Sequence, residues 1–391
     1  MLFQSLSYAS PLWVDKVQKA LAALQSAELP CLSFQPVAPQ ARTLADRLRS
    51  QFSTVLVLGT GGSSLGGQVL AQLAKKKEAP RLFFLEDIHP EVFYTTLTAH
   101  DPHRTAVIAI SKSGETPETL CQLLAIFRHF LPPEQSTHFC ILTEERSSPL
   151  HSLAETYALP RIAVPADIGG RFSVLSVTGL FPALIAGVDE ADLLRGARTQ
   201  QEQLQEPQAL QALAIAAEGA ATQKTPVFLV YDPRLVPLAL WHRQLWAESL
   251  GKEGQGTTPV FAQGAVDQHS QFQLYLDGPR DKVFTVLSIK QEDMHPLFQT
   301  TNPGLSFLER KTMGRLLEAE FQASCDALRS QKFPIRQGII STFDENTLGG
   351  LLAYFLYEVI VTANLLSVSP FNQPAVEQLK RRTREILEKN M

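Results

Sequence analysis

Two loops in the first third of the chain have the composition of anion-binding turns. The first, GTGGSSLGG (59–67), follows an apolar run at 54–58 and opens a helical pattern. A glycine-rich turn from strand to helix offers backbone N–H groups and a positive helix end to an anion. Ser63 and Ser64 add hydroxyls. A triphosphate loop needs Lys and then Ser or Thr after its last glycine; here Ser63-Ser64-Leu65 follow Gly62, and the next lysine is Lys75. A dinucleotide loop needs a glycine where Ser64 stands, and its acidic partner, Glu86, comes late. Alone, the turn fits an anion site and a tight packing turn equally well. The second loop, SKSGETPET (111–119), leaves another apolar run with four hydroxyls, one cation and one glycine in nine residues. Two such loops on one sheet point to a phosphate monoester, because the hydroxyls are many and the cation is single.

Three further segments concentrate polar side chains. DIGGRFSVLS places Arg171 after Gly169-Gly170. RQLWAESLGKEGQG carries Gln244, Glu248 and Lys252. GAVDQHSQFQLYLDGPRDK carries Asp267, Gln268, His269 and Gln271. Each has an ordinary reading taken singly: a solvated helix face for Glu248, a salt bridge for Arg171, a turn histidine for His269.

These loops need strands to carry them. TVLVLG (54–59), RLFFLE (81–86), TAVIAIS (105–111) and HFCILT (138–143) are short runs apolar on both faces, as parallel strands buried on both sides require. SLGGQVLAQLAKKK (64–77), PEVFYTTLTA (90–99) and PETLCQLLAIFRHFL (117–131) between them have helical spacing. The rhythm then gives way to an apolar helix after Gly169-Gly170 and two helices around Pro207. A second block follows: strands at 225–232, 282–289 and 337–342, and helices at 236–252 and near 307–330. An apolar helix (348–366) and a charged helix (374–390) close the chain. The pattern predicts an α/β protein with two doubly wound parallel sheets. The expected divisions are a helical segment at 1–45, α/β units at 46–205 and 206–366, and a helical tail at 367–391.

Composition excludes other classes. The chain has 391 residues, 19% of them charged, with net charge −4, which offers no basic surface to nucleic acid. Cys31, Cys121, Cys140 and Cys325 are widely spaced without a CxxC pair, as expected of reduced thiols in a cytoplasmic protein rather than a zinc site or disulfide framework. No basic segment precedes an apolar run at the N-terminus, which argues against a signal peptide. The apolar stretch 348–366 contains Glu358 and Asn364 and reads as a buried helix, not a membrane span.

The segments GTGGSSLGG, SKSGETPET, GGRFSVLSVTGLFP, ESLGK, GAVDQHSQFQLYLDGP and FNQPAVEQLK, in this order over residues 55–380, resemble the phosphoglucose isomerase family. The resemblance implies two sugar-isomerase (SIS) domains with a C-terminal helical tail. It implies a reversible isomerisation of D-glucose 6-phosphate and D-fructose 6-phosphate, with no metal or other cofactor. Glu248 then matches the base between C2 and C1, His269 the residue that helps open the sugar ring, Lys380 the lysine at the ring oxygen, and Arg171 the cation beside the enediolate. Gly62, Ser63, Ser111, Lys112, Ser113 and Thr116 match the phosphate cradle; Gln244 and Gln373 match substrate-contacting glutamines. The resemblance also implies a homodimer in which the partner chain donates His269.

The residue types suit that chemistry. One carboxylate on one face of the sugar can take a proton from C2 and return it to C1. The enediolate carries charge on oxygen, so a fixed guanidinium lowers the barrier. Ring opening moves a proton between O1 and the ring oxygen, a task for an imidazole and an ammonium. The phosphate does not react and holds the chain in register. The C-terminal segment departs from the family pattern, which has aspartate at Asn372 and glycines at Ala375 and Leu379, so the backbone before Lys380 is stiffer here. Two other readings share the phosphate loops: an isomerase of mannose 6-phosphate or an aminosugar phosphate, and a non-catalytic sugar-phosphate sensor. Glu248 together with Arg171 and His269 speaks against the sensor.

Overall fold

The computed structural model describes residues 3, 5–7, 9–25, 27–74, 79–291 and 296–389. Among these, ten strands form two sheets: β1 (Ser5–Leu6), β2 (Thr54–Leu58), β3 (Arg81–Leu85), β4 (Thr105–Ile110), β5 (Phe139–Thr143), β6 (Arg161–Ala163), β7 (Thr225–Val230), β8 (Val260–Gln263), β9 (Lys282–Ile289) and β10 (Ile335–Ile340). The first sheet is wholly parallel in the order β3-β2-β4-β5-β6. The second runs β1-β10-β9-β7-β8 and is parallel except at its edge, where β1 pairs antiparallel with β10. Helices cover both sheets, giving the two α/β units that the alternating pattern calls for.

Every residue of β4, β5 and β9 is buried, which explains the consecutive apolar positions of β4 and β5, while β9 also buries Lys282, Thr285 and Ser288. Each buried Val, Leu or Ile side chain contributes roughly 1.5–3 kcal/mol. Three strands fall outside the expected set: β1, β6 and β8. The segment expected as helical over 1–45 thus begins with a strand, and the boundary at residue 45 falls inside helix Pro39–Gln51. The helix expected near 307–330 starts later, at Met313, where the Thr312 side chain accepts from the Arg315 amide. After the first glycine loop the helix runs only Leu65–Leu70, then tightens into the turn Ala71–Leu73; Lys75–Lys77 lie outside the described residues. The charged helix is described over Pro374–Lys389, its expected last residue, Asn390, lying outside.

The two units are fastened by helix Glu345–Leu365 lying along helix Glu190–Gln203. Gly196 and Gly349 allow this: a Cβ on Gly196 would sit 1.8 Å from the Asn346 carbonyl oxygen, and one on Gly349 1.9 Å from that of Leu193. Helix Glu345–Leu365 is long and apolar enough to cross a membrane, but 83% of its most apolar stretch is buried inside the protein. It also carries the fully buried Glu358, which pairs with Arg336 and lies 3.1 Å from His242 Nε2. Burial pushes the Glu358 carboxyl up, but Arg336 and His242 outweigh it and hold it below the usual carboxylate range. This network pins helix Val236–Leu250, which carries His242, against the core. All four cysteines are free thiols; Cys31, Cys140 and Cys325 are buried, whereas Cys121 is exposed on helix Pro117–His129.

Candidate active site

The two hydroxyl-rich loops leave the carboxyl ends of β2 and β4, adjacent strands at which the chain reverses its direction across the sheet. Open α/β sheets bind ligands at such a point. A Cβ on Gly59 would lie 3.1 Å from the Ile110 carbonyl oxygen, so the loops depart side by side. Gly61 has φ +57°, a left-handed conformation suited to glycine, and its α-carbon faces the Gln244 amide, which a Cβ there would meet at 2.8 Å. Gly62 packs on the Gly170 carbonyl carbon, 2.2 Å from where its Cβ would stand. Ser63 is half-buried, while Ser64 is fully buried and accepts from Gln68 Nε2 at 2.9 Å.

In the second loop, Ser111 is buried and its Oγ bridges Thr116 Oγ1 (2.8 Å) and the Gly114 amide (3.1 Å). Gly114 has φ +67° and lies against Ser148, whose hydroxyl would be 2.1 Å from a Cβ there. Ser113 Oγ accepts from the Glu115 amide at 3.2 Å. Pro117 follows Thr116 as the first residue of helix Pro117–His129, whose N-terminus therefore opens toward this loop. Lys112 does not extend freely into it: Nζ donates to the Ala166 carbonyl at 2.7 Å and lies 3.5 Å from Glu144.

Arg171 stands in the turn Gly170–Leu175 with its side chain 1% exposed, and each of its three guanidinium nitrogens has an acceptor. Nε donates to Ser249 Oγ at 2.8 Å. Nη1 donates to Glu248 Oε2 at 3.3 Å and to Gln373 Oε1. Nη2 donates to the carbonyls of Pro370 and Asn372. Burial lowers the guanidinium pKa from its ordinary value and Glu248 opposes the shift. Glu248, near the end of helix Val236–Leu250, is 32% exposed, and its other oxygen accepts from Gln244 Nε2 at 3.0 Å, one helical turn back. Both carboxylate oxygens are thus oriented, while part of the group stays open. Gln244 Oε1 is buried without a hydrogen bond among the described residues.

The sequence-predicted residues Gly62, Arg171, Gln244, Glu248 and Gln373 therefore meet in one cluster, flanked by Ser63. Two others stand apart from it. His269 ends the turn Val266–His269 and is exposed, and its imidazole has no hydrogen bond or ion pair among the described residues. Its neighbours are firmly held: Asp267 accepts from the Gln263 amide at 2.7 Å and Ser270 Oγ at 2.6 Å, and Gln268 Nε2 donates to Tyr231 Oη at 2.7 Å and Ser324 Oγ at 2.9 Å. A fixed turn thus presents a free imidazole to the outside. Lys380 is 57% exposed on helix Pro374–Lys389 and pairs with Glu377 at 2.8 Å, away from the cluster's hydrogen bonds.

Ser249 and two strap carbonyls escaped the sequence reading, and Lys252 was named there without a role. Ser249, beside Glu248 in ESLGK, fixes the Arg171 Nε. The carbonyls of Pro370 and Asn372 act through backbone and leave no side-chain signature. Lys252 donates to the carbonyls of Ser249 (2.8 Å) and Ser369 (2.7 Å). Phe371 stacks on Phe172 with ring centroids 5.3 Å apart. Segment 367–373 is therefore a strap over the Arg171 turn.

Among the described residues no cluster of His, Cys, Asp or Glu is placed to hold a metal ion. Residues 45–391 match the model of the phosphoglucose isomerase family. The chain belongs to that family. It is similar to the glucose-6-phosphate isomerase of Rubrobacter xylanophilus, 35% identical over 363 residues that cover 87% of this chain and 84% of that protein. It is also similar to a probable glucose-6-phosphate isomerase of Haloquadratum walsbyi, 36% identical over 344 residues, 86% of this chain and 79% of the other. A solved structure of a hypothetical protein from Thermus thermophilus superimposes with a TM-score of 0.86 at 30% identity, over 96% of this chain and 95% of that one. The phosphoglucose isomerase match begins within helix Pro39–Gln51 and takes in the strap and every strand of both sheets except β1.

Proposed function

We propose that this chain interconverts D-glucose 6-phosphate and D-fructose 6-phosphate by ring opening and proton transfer through a cis-enediol intermediate. The observation that carries the reading is the buried Arg171 guanidinium held against the half-open Glu248 carboxylate. Family membership supports the same reaction.

In this reading the phosphate binds where the loops of β2 and β4 meet, at the hydroxyls of Ser63, Ser111, Ser113 and Thr116, the backbone of Gly62, and Lys112. Lys112 exchanges its Ala166 carbonyl for the phosphate. The sugar chain then reaches toward helix Val236–Leu250. Glu248 removes the C2 proton and returns it to C1, its plane set by Gln244 and Arg171. As charge moves onto the substrate oxygen, Arg171 supplies fixed positive charge that needs no reorganisation. Gln373 lies on the same guanidinium and contacts the substrate from the strap side. His269 and Lys380 handle the ring oxygen and O1. The exposure of His269 in a rigid turn supports donation into the site of a partner copy, and so a homodimer. The enzyme works in the cytoplasm without metal or other cofactor.

A coupled assay of the purified protein with fructose 6-phosphate, beside mannose 6-phosphate, tests the reading. Turnover of fructose 6-phosphate to glucose 6-phosphate is expected to dominate. Turnover of mannose 6-phosphate alone would move the protein to the other isomerase class, and no turnover of either would favour a sensor.

A further inference from the structure

Lys252 lies one turn beyond Glu248, where helix Val236–Leu250 ends. Its ammonium bridges two backbone carbonyls: that of Ser249, on the helix, at 2.8 Å and that of Ser369, on the strap, at 2.7 Å. A cation is favoured at a helix C-terminus, where carbonyls lack partners. The strap it reaches supplies three of the five acceptors of Arg171, through Pro370, Asn372 and Gln373. Residues 366–373, Leu-Ser-Val-Ser-Pro-Phe-Asn-Gln, carry no charge. The strap meets the Arg171 turn through Arg171 itself and the ring contact of Phe371 on Phe172, and it is drawn to the catalytic helix through Lys252.

We propose that Lys252 is a positioning residue for the isomerisation: it clamps the strap to the end of the catalytic helix and thereby holds Arg171 beside Glu248. The proposal rests on the isomerase reading above. The charged groups acting on Lys252 are Arg171, from the turn Gly170–Leu175, and Glu248, from its own helix. Burial and Arg171 push its pKa down to about 8, against Glu248. The clamp is charged below that pH. As pH rises through about 8 the proton is lost, the ammonium no longer donates to both carbonyls with full charge, and the strap loosens.

The test measures kcat and KM for fructose 6-phosphate across neutral and alkaline pH in the wild-type enzyme and in the Lys252→Met, Lys252→Arg and Phe371→Ala variants. Thermal melting confirms that each is folded. The wild type is expected to lose kcat as pH rises through about 8. Lys252→Met is expected to lower kcat roughly ten- to a hundredfold, as a displaced catalytic group does, with KM nearly unchanged and no basic limb. Lys252→Arg restores most of kcat and moves the basic limb to higher pH, because a guanidinium keeps its proton. Phe371→Ala loosens the strap independently, so its loss and that of Lys252→Met are expected not to multiply in the double variant. A Lys252→Met enzyme with wild-type kcat and an unmoved basic limb overturns the proposal, as does full multiplication in the double variant. An inactive wild type overturns the isomerase reading itself, and the proposal with it.

Discussion

Gly62 rests on the backbone of the Arg171 turn: a Cβ at position 62 would come within 2.3 Å of the Gly170 carbonyl oxygen and 2.7 Å of the Arg171 amide nitrogen. Neither neighbour is a flexible side chain that can swing aside. Gly62→Ala is therefore expected to push the turn outward, costing about 1–3 kcal/mol of stability, as overpacking does. It also displaces the guanidinium from Glu248, so kcat falls together with stability. Denaturant unfolding and steady-state kinetics check both parts; an alanine variant of unchanged stability contradicts the packing.

Glu248→Gln keeps an oxygen that can accept from Arg171 while removing the proposed base. Turnover is expected to drop by about 10²–10⁴-fold, the range of general acid–base catalysis, with substrate affinity kept within an order of magnitude. Kinetics beside direct binding of fructose 6-phosphate decide it. A rate near that of the wild type would remove Glu248 from the proton path.

Lys112 meets the Ala166 carbonyl and Glu144. Lys112→Ala is expected to raise KM roughly tenfold or more, the worth of one hydrogen bond to a charged group, and to change kcat little. An unchanged KM would mean that the lysine only ties its loop to the 164–170 connection.

For the two ring-opening candidates the expected signatures differ. Lys380→Ala loses more activity on ring-closed than on open-chain substrate; equal loss on both reassigns it. His269 is read as acting in a partner's site, so inactive His269→Ala and Glu248→Gln chains, unfolded together and refolded, are expected to regain activity through mixed dimers. Mixtures that stay inactive place His269 in its own chain's site or outside catalysis.

The central strands were readable because burial on both faces demands apolar residues at consecutive positions, as in β4 and β5. The missed strands, β1, β6 and β8, all lie at sheet edges, where short runs need no such continuity. β1 was the hardest to foresee, since two residues near the N-terminus find their partner at Arg336 and Gln337. In the site, ESLGK and GGRFS were visible as segments, but only the family resemblance joined them to Gln373. The strap's carbonyls had no sequence signal, because any residue supplies a carbonyl; what matters is where the chain lays it. The tie between Lys112 and Ala166 was hidden for the same reason. The roles of His269 and Lys380 came from the resemblance, and a single chain leaves both exposed.

The acceptors of Arg171 also impose an order on folding. Three of the partners of the guanidinium come from residues 370–373, which lie 199 to 202 residues further along the chain. Until they arrive, a cation whose side chain is almost wholly buried in the finished fold lacks most of its hydrogen bonds, an arrangement that costs free energy. The Arg171 turn therefore cannot complete its hydrogen bonds within the first α/β unit alone. A chain shortened before residue 370 would lack those three acceptors, so the pairing of Arg171 with Glu248 reports on the docking of the strap as well as on the folding of the sheets.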